Sequence, residues 1–380
     1  MPPITKYTRG VIMRKKLKLK KVIFAGMWCI LLAAGLLLLS GCPGAPGTTH
    51  TVMLYLFSTF SSNVFSFNVE NNTCSTDPIF SYRPDTGDTD AGDHVYFYND
   101  RGYIAAGSLV NPSLLTFNPN TSTITPSVFT HTWKGGPSNI IFINATKAYV
   151  TDTGSYDPDT FEPMNDGGVF IFNPSYTETS LTKITNSDAN SDGMVYIANK
   201  NKAYVTNSGS DTVSVIDTTN DTETKEIAVD DNPTAIVALS DGSKVYAFCT
   251  NYVGNSTLKE IDTGTDTVTD TFTITQGAGT PAGLPSIIGT KIYYTGLDDF
   301  WAGTGPFFID VSEGTPAEEM IDTAVAGGST LIYDNRLYVT NPSATQSTLT
   351  VVDLADNKEI EGSPFDVGGD GDGIKGMAVY

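Results

Sequence analysis

An all-β fold, a single seven-bladed β-propeller of four-stranded blades, is predicted by three observations. A Tyr-centred strand recurs seven times, a second β-rich run ending in Asp or Asn follows each one, and the repeat length is 42 to 55 residues. Four short strands per repeat of that length is the pattern of a radial array of small sheets. The Tyr strands centre on Tyr55, Tyr103, Tyr149, Tyr204, Tyr246, Tyr293 and Tyr338, and the runs that follow end at Asn68, Asn118, Asn173, Asp217, Asp262, Asp310 and Asp353.

The unit is clearest over residues 202–248, which read as strand, loop, strand, turn, strand, loop, strand. The strands are β-branched and aromatic, and Asn, Asp, Gly and Ser punctuate them. Ala235-Ile236-Val237-Ala238-Leu239 is apolar on both faces, as a sheet packed between two neighbours requires. No inner strand precedes Tyr55, whereas IKGMAVY at residues 374–380 matches the segment before each other Tyr strand. The C-terminus is therefore expected to supply the inner strand of blade 1, closing the ring and removing an open edge.

The first 41 residues differ in kind. They hold eight basic residues and no acidic one, then an apolar run over residues 22–39, then Leu39-Ser40-Gly41-Cys42. That order is the order of an export signal. LSGC resembles the lipobox of bacterial lipoproteins, which implies cleavage before Cys42 and acylation of its thiol. The domain plan is then a signal peptide at 1–41, a lipidated tether at 42–50 and the propeller at 51–380, with Met13 as an alternative start directly before Arg14-Lys15-Lys16. An uncleaved span is the competing reading, since 18 apolar residues are just enough to cross a bilayer. Both place the propeller outside the cytoplasm, because the basic flank stays inside. The expected setting is extracytoplasmic, with the membrane as a partner through lipid at Cys42, in the cell membrane or an outer membrane.

Without residues 1–41, 14 Lys and Arg stand against 42 Asp and Glu, a formal charge of −28. Such a surface repels phosphate backbones, so nucleic acid is excluded as a partner. Of four cysteines, Cys29 lies in the signal and Cys42 at the lipid; Cys74 and Cys249 fall in non-adjacent blades, too far apart for a disulfide, and two free thiols are expected.

YVTN at residues 204–207 and again at 338–341, with the surrounding repeat, resembles the YVTN family of β-propeller repeats. The resemblance covers almost all of residues 50–380 and implies a propeller in an exported or surface-layer protein. It implies no particular activity, because this fold hosts many.

In a propeller the loops joining second to third strands share a face with the loops entering each inner strand. Two insertions on that face carry the unusual residues. Blade 3 has Asp157, Asp159 and Glu162 within residues 152–168, and blade 6 has Asp298, Asp299, Phe300 and Trp301 within residues 296–306. Aromatics beside carboxylates on loops suit a sugar, a cation or a peptide, and solvated turns suit the same residues equally. Asp188, Asn190 and Asp192, followed by Gly193, fit the start of a calcium loop in which alternate side chains converge. The twelfth position is Asn199, so no EF-hand follows, and Ca²⁺ is a candidate cofactor with none required. Residues 366–373 are similar but have Gly368 first.

Only His50, His94 and His131 occur, and G-x-S-x-G, H-E-x-x-H and P-loop patterns are absent. A multi-histidine metal site is excluded. These observations point to a monomeric, non-catalytic binding or interaction scaffold at the cell envelope, recognising a protein or glycan, with no enzymatic activity expected. A carboxylate-metal hydrolase of lactonase type and a structural envelope component are the alternatives.

Overall fold

The computed structural model describes residues 51–380, apart from 59–60, 83–93, 108–111, 122, 126–128, 130, 161, 176–179, 185–189, 252–253, 276–279, 298–302, 315, 324–326, 344–345 and 370–371. Cys42 and the signal segment lie outside the described residues. The one helical segment among those described is a single 3₁₀ turn at Ala198–Lys200.

Seven antiparallel sheets make seven blades. Blade 4 shows the plan: Ser191–Ile197 innermost, then Lys202–Asn207, Thr212–Asp217 and Thr222–Ala228. In blades 1 and 7 the outermost place is shared by two short segments, Thr73–Cys74 with Phe80–Ser81 and Lys358–Glu359 with Phe365–Val367. Each first strand neighbours the next in the order His94–Tyr98, Pro137–Asn144, Ser191–Ile197, Pro233–Ala238, Ser286–Ile288, Thr330–Tyr333. Ile374–Val379 lies beside the last and the first of these and pairs antiparallel with Met53–Ser58 of blade 1.

The core is divided among the seams. Buried apolar residues among those described form seven clusters, each shared by two neighbouring blades. Between blades 4 and 5, for example, Tyr204, Val213 and Val215 meet Ile236, Val245 and Ala247. Two-faced apolar strands such as residues 235–239 follow from this: one side chain serves each seam.

Both marks of the repeat have a physical role. The Asp or Asn that ends each third strand folds its carboxylate or amide oxygen onto backbone N–H groups of the turn that follows. Asn68, Asn118, Asn173, Asp217, Asp262, Asp310 and Asp353 all do so, at 2.8–3.1 Å, in the Asx-turn manner of short polar side chains. All seven repeat tyrosines are buried. Four of them reach the matching turn of the next blade: Tyr55 donates to the Pro119 carbonyl at 3.1 Å, Tyr103 to Pro174 at 2.7 Å, Tyr204 to Asp266 at 2.5 Å, and Tyr149 to Asp221. The cation two residues before the Tyr joins in, Lys147 meeting Asp221 and Lys202 meeting Asp266. Arg336 carries the same link from blade 7 to the Asn72 side chain of blade 1 at 3.0 Å. Cys74 and Cys249 are free, Cys249 buried at the end of its blade's second strand.

Candidate active site

The site begins as a register defect. The inner strands of blades 3, 4 and 5 shift register against their partners near Thr151, between Ser191 and Met194, and between Pro233 and Ala235. A bulge of this kind re-aims the extra side chain. Here it turns Ser138, Asp192 and Thr234 into a cavity of about 300 Å³ at the mouth of the ring. His94, at the start of blade 2's inner strand, joins them, as do Gly107 and Thr153 from second-to-third-strand loops and residues 281–284 before blade 6. The threonine that follows Tyr-Val in the repeat braces two of the bulges: Thr151 Oγ1 accepts the Asn139 N–H and Thr206 Oγ1 the Gly193 N–H, both at 2.8 Å. Position 193 must be glycine, because a Cβ there would lie 2.9 Å from the Ala235 Cα of the next blade.

Three residues from three successive blades are linked in a line, His94 through the main chain of Ser138 and Asp192 through its side chain. His94 Nδ1 lies 3.1 Å from the Ser138 carbonyl oxygen, and Ser138 Oγ donates to Asp192 Oδ1 at 2.8 Å. A carbonyl can only accept, so the His94 proton sits on Nδ1 and Nε2 is the basic nitrogen of the neutral ring. Tyr96, two residues along the same strand, has its ionisation pushed well above the ordinary tyrosine range by burial, with the charge of Asp192 adding to the effect.

The rim is held by Asp152. Its fully buried carboxylate accepts the backbone N–H groups of Lys134, Gly135, Gly136 and Gly154 at 2.9–3.2 Å, with His131 Nε2 3.5 Å away. Burial alone would raise its pKa; the contacts with His131 and with the three N–H groups at 134–136 outweigh that and hold it below the usual value.

Of the residues singled out from sequence, Asp192 is in the cavity wall. Asn190 is fully buried beneath the blade 3 loop instead, its Nδ2 donating to the Ser155 carbonyl at 3.4 Å and its Oδ1 set against Gly154. A Cβ at Gly154, whose φ is +71°, would fall 2.1 Å from that oxygen. Asn190 and Asp192 thus serve different neighbours, and Asp188 lies outside the described residues. Among the described residues no three His, Cys, Asp or Glu side chains gather so as to hold a metal ion. Asp372, in the second calcium-like stretch, accepts from Ser61 Oγ, Asn63 Nδ2 and the Gly369 N–H, tying that stretch to blade 1.

The blade 3 loop is a small tongue. Asp157 Oδ1 accepts the N–H groups of Asp159 and Thr160, both at 2.9 Å, and so shapes the tip, while Asp159 and Glu162 are exposed. None of the three lines the cavity. Asp298, Asp299, Phe300 and Trp301 fall outside the described residues.

Neither a protein-family model nor a curated protein matches the chain. Solved structures do. A candidate 6-phosphogluconolactonase from Bacteroides fragilis is 12% identical with a TM-score of 0.59, over 88% of this chain and 100% of that one. The periplasmic gluconolactonase of Pseudomonas aeruginosa is 12% identical with a TM-score of 0.59, over 87% and 99%. The dihydro-heme d1 dehydrogenase NirN is 9% identical with a TM-score of 0.54, over 90% and 77%. The fold is the β-propeller seen in these structures. At these identities the likeness is one of fold.

Two expectations are corrected by this. The non-catalytic scaffold, and with it the expected absence of enzymatic activity, is contradicted by these neighbours, which fit the lactonase-like alternative better. Two of the named neighbours are a gluconolactonase and a dehydrogenase and the third a candidate lactonase, and the mouth of this ring gathers a histidine, a hydroxyl and a carboxylate. The sequence hid that grouping because its members are 44 and 54 residues apart, on separate blades. No linear motif can span them.

Proposed function

We propose that this propeller hydrolyses a small cyclic ester at the mouth of its ring. The observation that carries the reading is the line His94–Ser138–Asp192 in the wall of a cavity of about 300 Å³, at the small end of the ~300–1,000 Å³ range of ligand pockets. In this reading the oxygen of a water molecule bonds to the lactone carbonyl carbon while His94 Nε2 takes the water's proton. The ring C–O bond then breaks, and the proton passes from Nε2 to the departing alkoxide, giving the hydroxy acid. Asp192 favours the positive charge His94 carries between the two transfers. The fold likeness to a gluconolactonase supports the same reaction class.

Base-titrated hydrolysis of glucono-1,5-lactone, corrected for the spontaneous rate, tests it. His94→Gln is expected to lower kcat/KM by at least ~100-fold, the scale of general-base catalysis, and Asp192→Asn by a smaller factor. A wild-type rate equal to the spontaneous one, across a panel of five- and six-membered lactones, sinks the proposal.

We further infer that the chain is a YVTN-type exported protein held at the membrane by lipid on Cys42. The basic stretch, the apolar run and Leu39-Ser40-Gly41-Cys42 support it. Palmitate incorporation that Cys42→Ser abolishes is the expected result, and incorporation that survives the substitution contradicts it. In the same reading, the C-terminal strand is the clasp that closes the ring, supported by its pairing with Met53–Ser58.

A further inference from the structure

A threonine stands two residues after the repeat tyrosine in blades 3, 4, 6 and 7, and in blades 4 and 7 it braces its own blade. Thr206 Oγ1 accepts the Gly193 N–H at 2.8 Å and donates back to the Gly193 carbonyl at 3.2 Å, and Thr340 does the same with Ser329 at 3.0 and 3.4 Å. In blades 3 and 6 the threonine reaches across the seam: Thr295 donates to the Gly328 carbonyl at the entry to blade 7, and Thr151 bonds both its own blade and the next. It accepts the Asn139 N–H of its own blade at 2.8 Å, but its single hydroxyl proton is better placed for the Asp192 carbonyl of the next blade, at 3.0 Å, than for the Asn139 carbonyl, at 3.5 Å. Thr151 is fully buried, so water does not compete for either bond.

The consequence is geometric. Ser138 and Asp192 sit on bulges of different blades, and their side chains meet at 2.8 Å across the seam. A bulge is a soft point in a ladder, because its extra residue lacks a cross-strand partner. The Thr151 hydroxyl bonds the backbone on both sides of that meeting point, fixing Asn139 beside Ser138 and the carbonyl of Asp192 itself. We infer that Thr151 is a positioning residue for Asp192, holding the carboxylate in register with Ser138 and hence with His94. This rests on the hydrolase reading for its catalytic consequence, though not for its structural one.

The test pairs Thr151→Val, which keeps the shape and removes the hydroxyl, with Thr151→Ser, which keeps the hydroxyl. Thr340→Val removes the equivalent brace from blade 7. The readouts are the ¹³C titration of the Asp192 carboxyl in the folded full-length protein and the kinetics of glucono-1,5-lactone opening. Loosening the Ser138 bond removes a donor that favours the carboxylate, so Thr151→Val is expected to raise the Asp192 midpoint by about half a pH unit or more. It should also lower kcat by roughly tenfold to a hundredfold with KM little changed, as misplacement of a reacting group does. Thr151→Ser and Thr340→Val should titrate like wild type. If Thr151→Val does not fold, Thr151→Ala removes the same hydroxyl. An Asp192 titration unchanged in a folded hydroxyl-less variant overturns the inference. If wild type opens no lactone, the hydrolase reading fails while the titration still decides the role of Thr151.

Discussion

Asp152 shows how much one side chain can organise at a propeller rim. It occupies the position after Tyr-Val-Thr that is Asn in blades 4 and 7, and its carboxylate collects four backbone N–H groups from two loops. An asparagine there has one acceptor oxygen in place of two and turns an N–H₂ group toward N–H donors. Asp152→Asn is therefore expected to cost about 3 kcal/mol, the scale of breaking charged, buried hydrogen bonds. The pH dependence has a definite sign. The folded-state pKa is depressed, so the stabilisation is fully present above the unfolded value near ~3.9 and is lost as pH falls through the folded value. Urea titrations at a series of pH values should show an acid-side loss of stability in wild type that is smaller in Asp152→Asn. Parallel curves in the two proteins would show that Asp152 is not the group responsible.

At the scale of the strand, what was legible and what was not divide along a physical line. The Tyr strand and the Asp- or Asn-ended strand are visible in sequence because each mark acts locally. Tyr204 needs a buried β position, and Asp217 or Asp262 needs only the two or three residues after it to make its turn. Two-sided burial of residues 235–239 is equally local, since alternate side chains of one strand enter two seams. The bulges at Ser138, Asp192 and Thr234 are not local. A bulge is a mismatch between two strands, and here it is stabilised by Thr151 and Thr206 from the partner strand. Single-strand periodicity carries no trace of it. Asp192 drew notice only through a calcium-like spacing, which grouped it with Asn190. The fold sends the Asn190 amide under the tongue and the Asp192 carboxylate to Ser138. The scarcity of histidine excludes a multi-histidine metal site but says nothing of His94, which the fold brings to the cavity from a separate blade. Linear sequence motifs record groups that lie within one loop or helix, and a ring distributes its groups over several blades.

For the whole molecule, each seam has an apolar cluster and most have a Tyr or cation reaching forward to the next blade. No blade buries both its faces alone, so the stability of any one depends on the seams to either side of it. Blade 1 meets blade 7 across a cluster that includes Leu54, Phe65 and Phe67 from one side and Tyr338, Leu349 and Val351 from the other. Ile374 and Met377 of the C-terminal strand complete that cluster, and the strand's backbone pairs along Met53–Ser58. Deleting residues 374–380 would strip three buried side chains, Ala378 and the larger Ile374 and Met377, the latter two worth roughly 1.5–3 kcal/mol each. It would also leave the ladder of Met53–Ser58 unpaired on a buried edge, at about 1–3 kcal/mol for each orphaned group. Together these approach the whole ~5–15 kcal/mol margin of a folded domain, so the truncated chain is expected to lose its single cooperative melting transition. The same deletion should leave the pairing within blades 3 to 5 intact, because their seams lie on the opposite side of the ring. Circular dichroism melts, with hydrogen exchange resolved by blade, separate these outcomes. Early exchange confined to blades 1, 2 and 7 is the expected pattern, and a melting curve identical to that of the full chain would show that the C-terminal strand is no clasp.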